Sequence, residues 1–138
     1  MTAPEPPQRA QPETLRVQGI VPSFTASDLQ ASLAFYRDQV GFHVAEAHEW
    51  EGKVMGYTLV AGTQKVLISQ DDGAKGERIK GQGMRLFLEA SQPVDQVAAD
   101  VKARGGTLES EPEDTEWGAR AFTVTDPDGF KLTILNWT

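Results

Sequence analysis

The stretch RAFTVTDPDGFKLTIL, residues 120–135, places two carboxylates, Asp126 and Asp128, within one short turn. Carboxylates this close could hold a hard cation, or could hydrogen-bond the backbone of the turn. A calcium loop needs oxygens at more alternating positions than this turn supplies. DPDG has the grammar of a tight turn instead. Proline fixes φ, aspartate bonds the backbone, and glycine accepts positive φ. The turn reading is preferred, and the alternating apolar runs on either side predict a hairpin.

Imidazole and further carboxylates cluster between residues 43 and 51. His43 and His48 are the chain's two histidines. On one strand, five positions apart, they should point to opposite faces and share no ion unless a bulge intervenes. Glu46, Glu49 and Glu51 form either a solvated rim or an attractor for a cationic ligand. No serine sits on a strand-to-helix elbow with a histidine and aspartate in support. KGQG, residues 80–83, lacks the spacing and the Lys-Ser/Thr ending of a phosphate loop. Among the aromatic residues, Trp50 falls at a hairpin turn, Tyr57 on the next strand, and Trp117 at the mouth of a later one. Such rings either pack in the core or line a pocket rim, where they could stack a planar or cationic ligand. Met55 and Met84 could add adaptable lining. Arg85 and Arg120 could pair with a ligand anion or with a nearby carboxylate.

The elements that must position these groups are legible in order. Residues 1–16 contain four prolines and almost no large apolar side chain, and are expected to be a disordered tail. GIVPSFTA predicts a short strand with an edge or strand-start proline. SDLQASLAFYRDQVGF predicts a helix capped by Ser27 or Asp28, striped by Leu29, Leu33, Tyr36 and Val40, and ended by Gly41. Three strands follow in HVAEAHEW, MGYTLVAG and KVLISQ, then a polar loop, DDGAKGERIKGQG. The order then restarts. MRLFLEA is a strand, PVDQVAADVKARGG a helix, and TLESE, RAFTVTD and FKLTIL three more strands. A shift of 65 positions lays the second helix on the first without a gap, Leu29 on Val94, Leu33 on Ala98, Tyr36 on Val101 and Gly41 on Gly106. This pattern predicts a duplicated βαβββ unit: a first module over 17–72, a linker over 73–83 and a second module over 84–138. Two half-open sheets must bury their concave faces, which predicts a cleft between modules.

Composition narrows the function classes. The net charge of −7 disfavours nucleic acid as a partner. The chain has no cysteine, which removes disulfides and thiolate chemistry and fits a cytoplasmic location. No apolar run approaches a membrane span and no apolar signal core is visible at the N-terminus.

The pair SDLQASLAFYRDQVGF and WGARAFTVTDPDGFKLTI resembles the vicinal oxygen chelate superfamily, which includes glyoxalase I, extradiol dioxygenases, and fosfomycin- and bleomycin-resistance proteins. The resemblance implies an α+β fold of two βαβββ modules around a ligand cavity, often in a dimer. Metal-using members place His or Glu at positions that correspond here to Val21, Ile68 (Ser69 if the register slips by one), Met84 and Thr133. None is a sound ligand for a divalent ion.

The expectation is therefore a metal-free, cofactor-free binder of the bleomycin-resistance type. It would sequester a small molecule, cationic or planar aromatic, as a homodimer. Trp50, Met55, Tyr57, Met84, Arg85, Trp117 and Arg120 are the expected ligand contacts. The rival is a lyase, isomerase or dioxygenase of the same superfamily holding a metal through His43 or His48 with Glu46. A third reading is an accessory domain with a filled, vestigial cavity.

Overall fold

The computed structural model describes residues 15–138; the expected tail falls almost wholly outside the described residues. The chain runs β1 (Ser23–Ala26), α1 (Leu29–Leu33, continuing as a π-helical segment, Ala34–Val40), β2 (His43–Trp50), β3 (Lys53–Ala61), β4 (Gln64–Gln70), β5 (Arg85–Glu89), α2 (Val94–Ala103), β6 (Ser110–Asp114), β7 (Ala119–Thr125) and β8 (Lys131–Trp137). Two four-stranded mixed sheets result, ordered β1-β4-β3-β2 and β5-β8-β7-β6. In each, the first strand runs parallel to the last and the other pairs are antiparallel. The fold is α+β, built from two βαβββ units.

The duplication extends to single hydrogen bonds. Asp28 caps α1 through its carboxylate, which accepts from the Gln30 and Ala31 N–H groups. The first N–H of α1, at Leu29, donates to Gln70 Oε1 on β4 (3.0 Å). The first N–H of α2, at Val94, donates to Asn136 Oδ1 on β8 (2.9 Å). The same two amides donate back to the chain entering each helix: Gln70 Nε2 to Ser27 O at 2.8 Å and Asn136 Nδ2 to Gln92 O at 3.0 Å. In each module an amide on the closing strand therefore fixes the helix start. This matters most for α2, whose N-cap Pro93 offers no side-chain cap.

The helix stripes are buried as the spacing predicts: Leu29, Leu33 and Tyr36 on one side, Val94, Ala98 and Val101 on the other. They join Phe24, Leu59 and Ile68 of the first sheet and Phe122, Val124, Leu132 and Ile134 of the second in one core. The modules meet through these helix-facing sides. Phe24 packs on Phe130 with ring centroids 4.5 Å apart. The Tyr36 hydroxyl donates to Asp126 Oδ2 at 2.8 Å, with both residues buried. Asp126 Oδ1 accepts from the Asp128 and Phe130 N–H groups, closing the turn. Asp128 accepts from the Ser27 N–H and hydroxyl, and Lys80 Nζ donates to that hydroxyl at 2.7 Å while lying 3.2 Å from Asp71. The DPDG carboxylates thus close a turn, as its grammar predicts, and also fasten the second module to the first. Nothing in the local sequence marks that second role, because the partners lie about a hundred residues away.

Helix bounds, strand bounds and register depart from expectation in four places. The second half of the first helix widens to π geometry, with Gly41 at φ +112° receiving the chain. β1 begins at Ser23, after the proline, and β6 lies at Ser110–Asp114, shifted from TLESE. β2 is bulged between Val44 and Glu46.

Candidate functional site

The pleat gives each sheet a helix-facing side and an open side. On the first sheet, Phe24, Ile68, Val66, Leu59 and Tyr57 share the helix-facing register. Ser23, Thr25, Leu67, Ser69, Gly56 and Thr58 take the open side. The bulge in β2 puts both histidines on that side. His43 faces Val60 and His48 faces Gly56, residues of like parity on β3. The expectation of opposite faces is therefore corrected. The separation along β3 is four residues, roughly 13 Å, too far for one ion to bridge. His48 Nε2 is 2.7 Å from Thr58 Oγ1. A shallow hollow of about 370 Å³ lies on this side, lined by Ser23, His48, Trp50, Met55, Leu67 and Ser69 among others.

The open side of the second sheet is different. Its floor is the small buried cluster Ala119, Ala121 and Leu135, separate from the main core. Above it stand Phe87, Trp117 and Trp137, exposed by 56 %, 50 % and 53 %. Phe87 and Trp117 are near-parallel with centroids 5.6 Å apart, and Trp137 meets Trp117 edge-on at 5.5 Å. The Trp137 indole N–H donates to Glu89 Oε2 at 3.0 Å. Next to Phe87, Arg85 Nη1 donates to Thr133 Oγ1 at 2.9 Å, and Thr133 bonds Thr123 at the same distance. Thr133 and Thr123 are buried. Lys131 on this side is tied to Glu109, which also accepts from the Thr125 hydroxyl. These bonds, Lys131 first, hold the Glu109 carboxyl below its usual range.

The seven expected ligand contacts therefore separate into three groups. Trp50 and Met55 line the hollow of the first sheet. Arg85 and Trp117 stand on the open side of the second, with Met84 exposed just before β5. Tyr57 and Arg120 lie on the helix-facing sides. The Tyr57 hydroxyl accepts from Gln30 of α1 at 3.2 Å. Arg120 is bonded to Asp95 of α2 at 3.0 Å and to Asp114 of β6 at 3.2 Å. Neither faces the open side, so both leave the candidate site. Phe87 and Trp137 join it. Phe87 could have been found from the sequence by its alternation with Arg85; Trp137, at the chain's end, carried no comparable signal.

The metal positions implied by the resemblance can be tested against these donors. Val21 precedes β1 and carries no donor atom, and Ile68 is 1 % exposed in the core, with Ser69 on the open side in its stead. Met84 precedes β5, and Arg85, already a cation, is the open-side residue that bonds Thr133. Among the described residues no three His, Asp or Glu side chains come together around a point that could hold an ion. This donor set does not fit a divalent cation. Among the same residues no helix is long and apolar enough to cross a membrane.

Solved structures with this fold include one of TioX from Micromonospora sp. ML1 (17% identity, TM-score 0.70, covering 88% of this chain and 100% of that one). A glyoxalase/bleomycin resistance protein/dioxygenase from Nocardioides matches at 22% identity and TM-score 0.69, over 90% of this chain and 86% of the other. A member of the same superfamily from Sphaerobacter thermophilus matches at 27% identity and TM-score 0.64, over 86% and 97%. No curated protein matches the chain. The family model for the Glyoxalase/Bleomycin resistance protein/Dioxygenase superfamily matches residues 20–134. With the two-module fold and the paired helix and turn motifs in place, the chain belongs to the Glyoxalase/Bleomycin resistance protein/Dioxygenase superfamily.

Proposed function

We propose that the protein binds and sequesters a small planar aromatic molecule without a metal ion, in a cleft formed when two copies of the chain bring their open sheet sides together. One observation carries this reading: three large aromatic side chains, each half exposed, stand together over an apolar floor on the open side of the second sheet. Clustered exposed aromatics of this kind mark binding surfaces. The joining of the modules through their helix-facing sides supports the dimer, because among the described residues it leaves each open side without a covering layer. Sequestration follows from the chemistry present. Aromatic faces and hydrogen-bond donors can hold a ligand, and the polar groups described beside them, Thr133 and Thr123 with Arg85, are already bonded to one another. Glu46, exposed on the open side of the first sheet, favours a cationic arm on the ligand as a second reading.

Calorimetric titration with a panel of planar aromatic compounds and cationic glycopeptides tests the reading, with sedimentation velocity on the same samples. The expected result is a dimer that binds planar aromatics in a one-to-one ratio per chain. A panel without any binder, or stoichiometric zinc, nickel, manganese or iron in protein purified without chelator, contradicts it. In the latter case a metal-dependent lyase, isomerase or dioxygenase becomes the better account.

A further inference from the structure

The geometry points to an anion anchor at Arg85, so that the ligand is an aromatic carrying a carboxylate or similar oxyanion; this rests on the aromatic-cleft reading above. Arg85, Phe87 and Glu89 alternate on the open side of β5. Two residues of strand separate Arg85 from Phe87, roughly 6.6 Å along β5, so the two side chains are neighbours on the same side of the sheet. A ring lying on Phe87 and Trp117 therefore brings a ring-borne carboxylate to the guanidinium.

The surrounding charges leave Arg85 for this task. Glu109 is bonded by Lys131 and Thr125 and feels Arg85 only through its charge, without an ion pair, and Glu89 accepts from the Trp137 indole. Among the described residues Arg85 has no carboxylate within ion-pair distance, and its hydrogen-bond partner is the neutral hydroxyl of Thr133. Guanidinium offers five N–H donors in a fixed fork suited to two carboxylate oxygens. One of them is used by Thr133, which is itself buried and held by Thr123. The threonine pair thus fixes the direction of the fork while leaving the others for a ligand.

The test compares three probes of one shape on the full chain: 2-naphthoate, its neutral amide, and 2-naphthylmethylamine, followed by tryptophan fluorescence. Naphthoate is expected to bind about tenfold tighter than the amide, as one charge-assisted fork would give, and the amine to bind weakest. In Arg85→Gln the preference for naphthoate over the amide disappears, and Arg85→Lys recovers part of it. An unchanged circular dichroism spectrum and unfolding midpoint guard against a misfolded variant. Equal binding of naphthoate and amide, or a preference that survives Arg85→Gln, overturns the anchor and leaves the aromatic cleft standing. Tighter binding of the amine overturns it in favour of the cationic reading. If none of the three binds, the cleft falls and the anchor with it.

Discussion

The two sheets are nearly interchangeable on one side and unlike on the other. Toward the helices, both modules bury a helix stripe at the same spacing and both fix the helix start with an amide from the closing strand, Gln70 or Asn136. Toward the open side, the first sheet presents Ser23, Thr25, Ser69, Thr58 and two histidines. The second presents Phe87, Trp117 and Trp137 over alanines and a leucine, with one arginine at the edge of the patch. The helix-facing side must satisfy packing in both copies, so its residue types stay alike. Among the described residues the open side bears no such load, and it is where two like units can carry different chemistry.

Five substitutions separate the two sides. The largest effect is expected on the helix-facing side. Phe24→Ala removes a ring that is 1 % exposed and packed on Phe130, and should destabilise the chain by about 3–5 kcal/mol in urea unfolding. Next is the fastening between modules. Tyr36→Phe removes a buried hydroxyl from a carboxylate, and a loss of about 1.5–3 kcal/mol is expected near neutral pH.

That loss should depend on pH in a defined direction. The hydroxyl bond favours the charged form of Asp126, so the difference between wild type and Tyr36→Phe is present above the Asp126 titration and fades as pH falls through it. Asp126 as a whole behaves oppositely. Burial, outweighing its hydrogen bonds, raises its carboxyl above the usual 3.8. Its contribution to stability is therefore fully present below that unfolded value and is lost as pH rises through the folded one. Unfolding free energies measured from pH 3 to 7 distinguish the two behaviours.

A smaller and matched pair of effects should come from Gln70→Ala and Asn136→Ala. Each leaves a first-turn N–H without its partner, and each should cost about 1 kcal/mol. The Asn136 variant should lose more helix signal in circular dichroism, since α2 has no side-chain cap of its own while α1 keeps Asp28. Equal losses of helix signal would contradict the difference in capping between the two helices. An effect on stability of similar size, about 1 kcal/mol, is expected for Trp117→Ala, whose half-exposed ring packs on Phe87 and Trp137. The same variant should lower affinity for a planar aromatic roughly tenfold, as loss of one stacking face would.

Much of this division could be read from the chain. Periodicity located both helices, seven of the eight strands and the repeat of 65 positions, with β6 displaced by three residues, because burial of one face imposes that period wherever a core must form. The open side was legible only in part. Trp117 and Arg85 were identifiable as a ring and a cation on or beside strands. Tyr57 and Arg120 satisfied the same description, yet face the helices. Which side a strand residue takes depends on register, and a one-residue bulge reverses it. The bulge near Ala45 did this to the histidines, with no glycine or proline there to announce it. The roles of Asp126 and Asp128 as fasteners were hidden for another reason: their partners are set by tertiary contact, not by neighbours in sequence.

The claim that the open side of the second sheet receives the ligand can be tested on three nuclei. The chain has three tryptophans, so its indole N–H resonances in ¹⁵N-labelled protein report separately on Trp50, Trp117 and Trp137. On titration with 2-naphthoate, the Trp117 and Trp137 resonances should move together along one saturable curve. Saturable binding that leaves both unmoved, with shifts instead in the groove between α2 and β6 beside Lys102 and Arg120, would contradict the account.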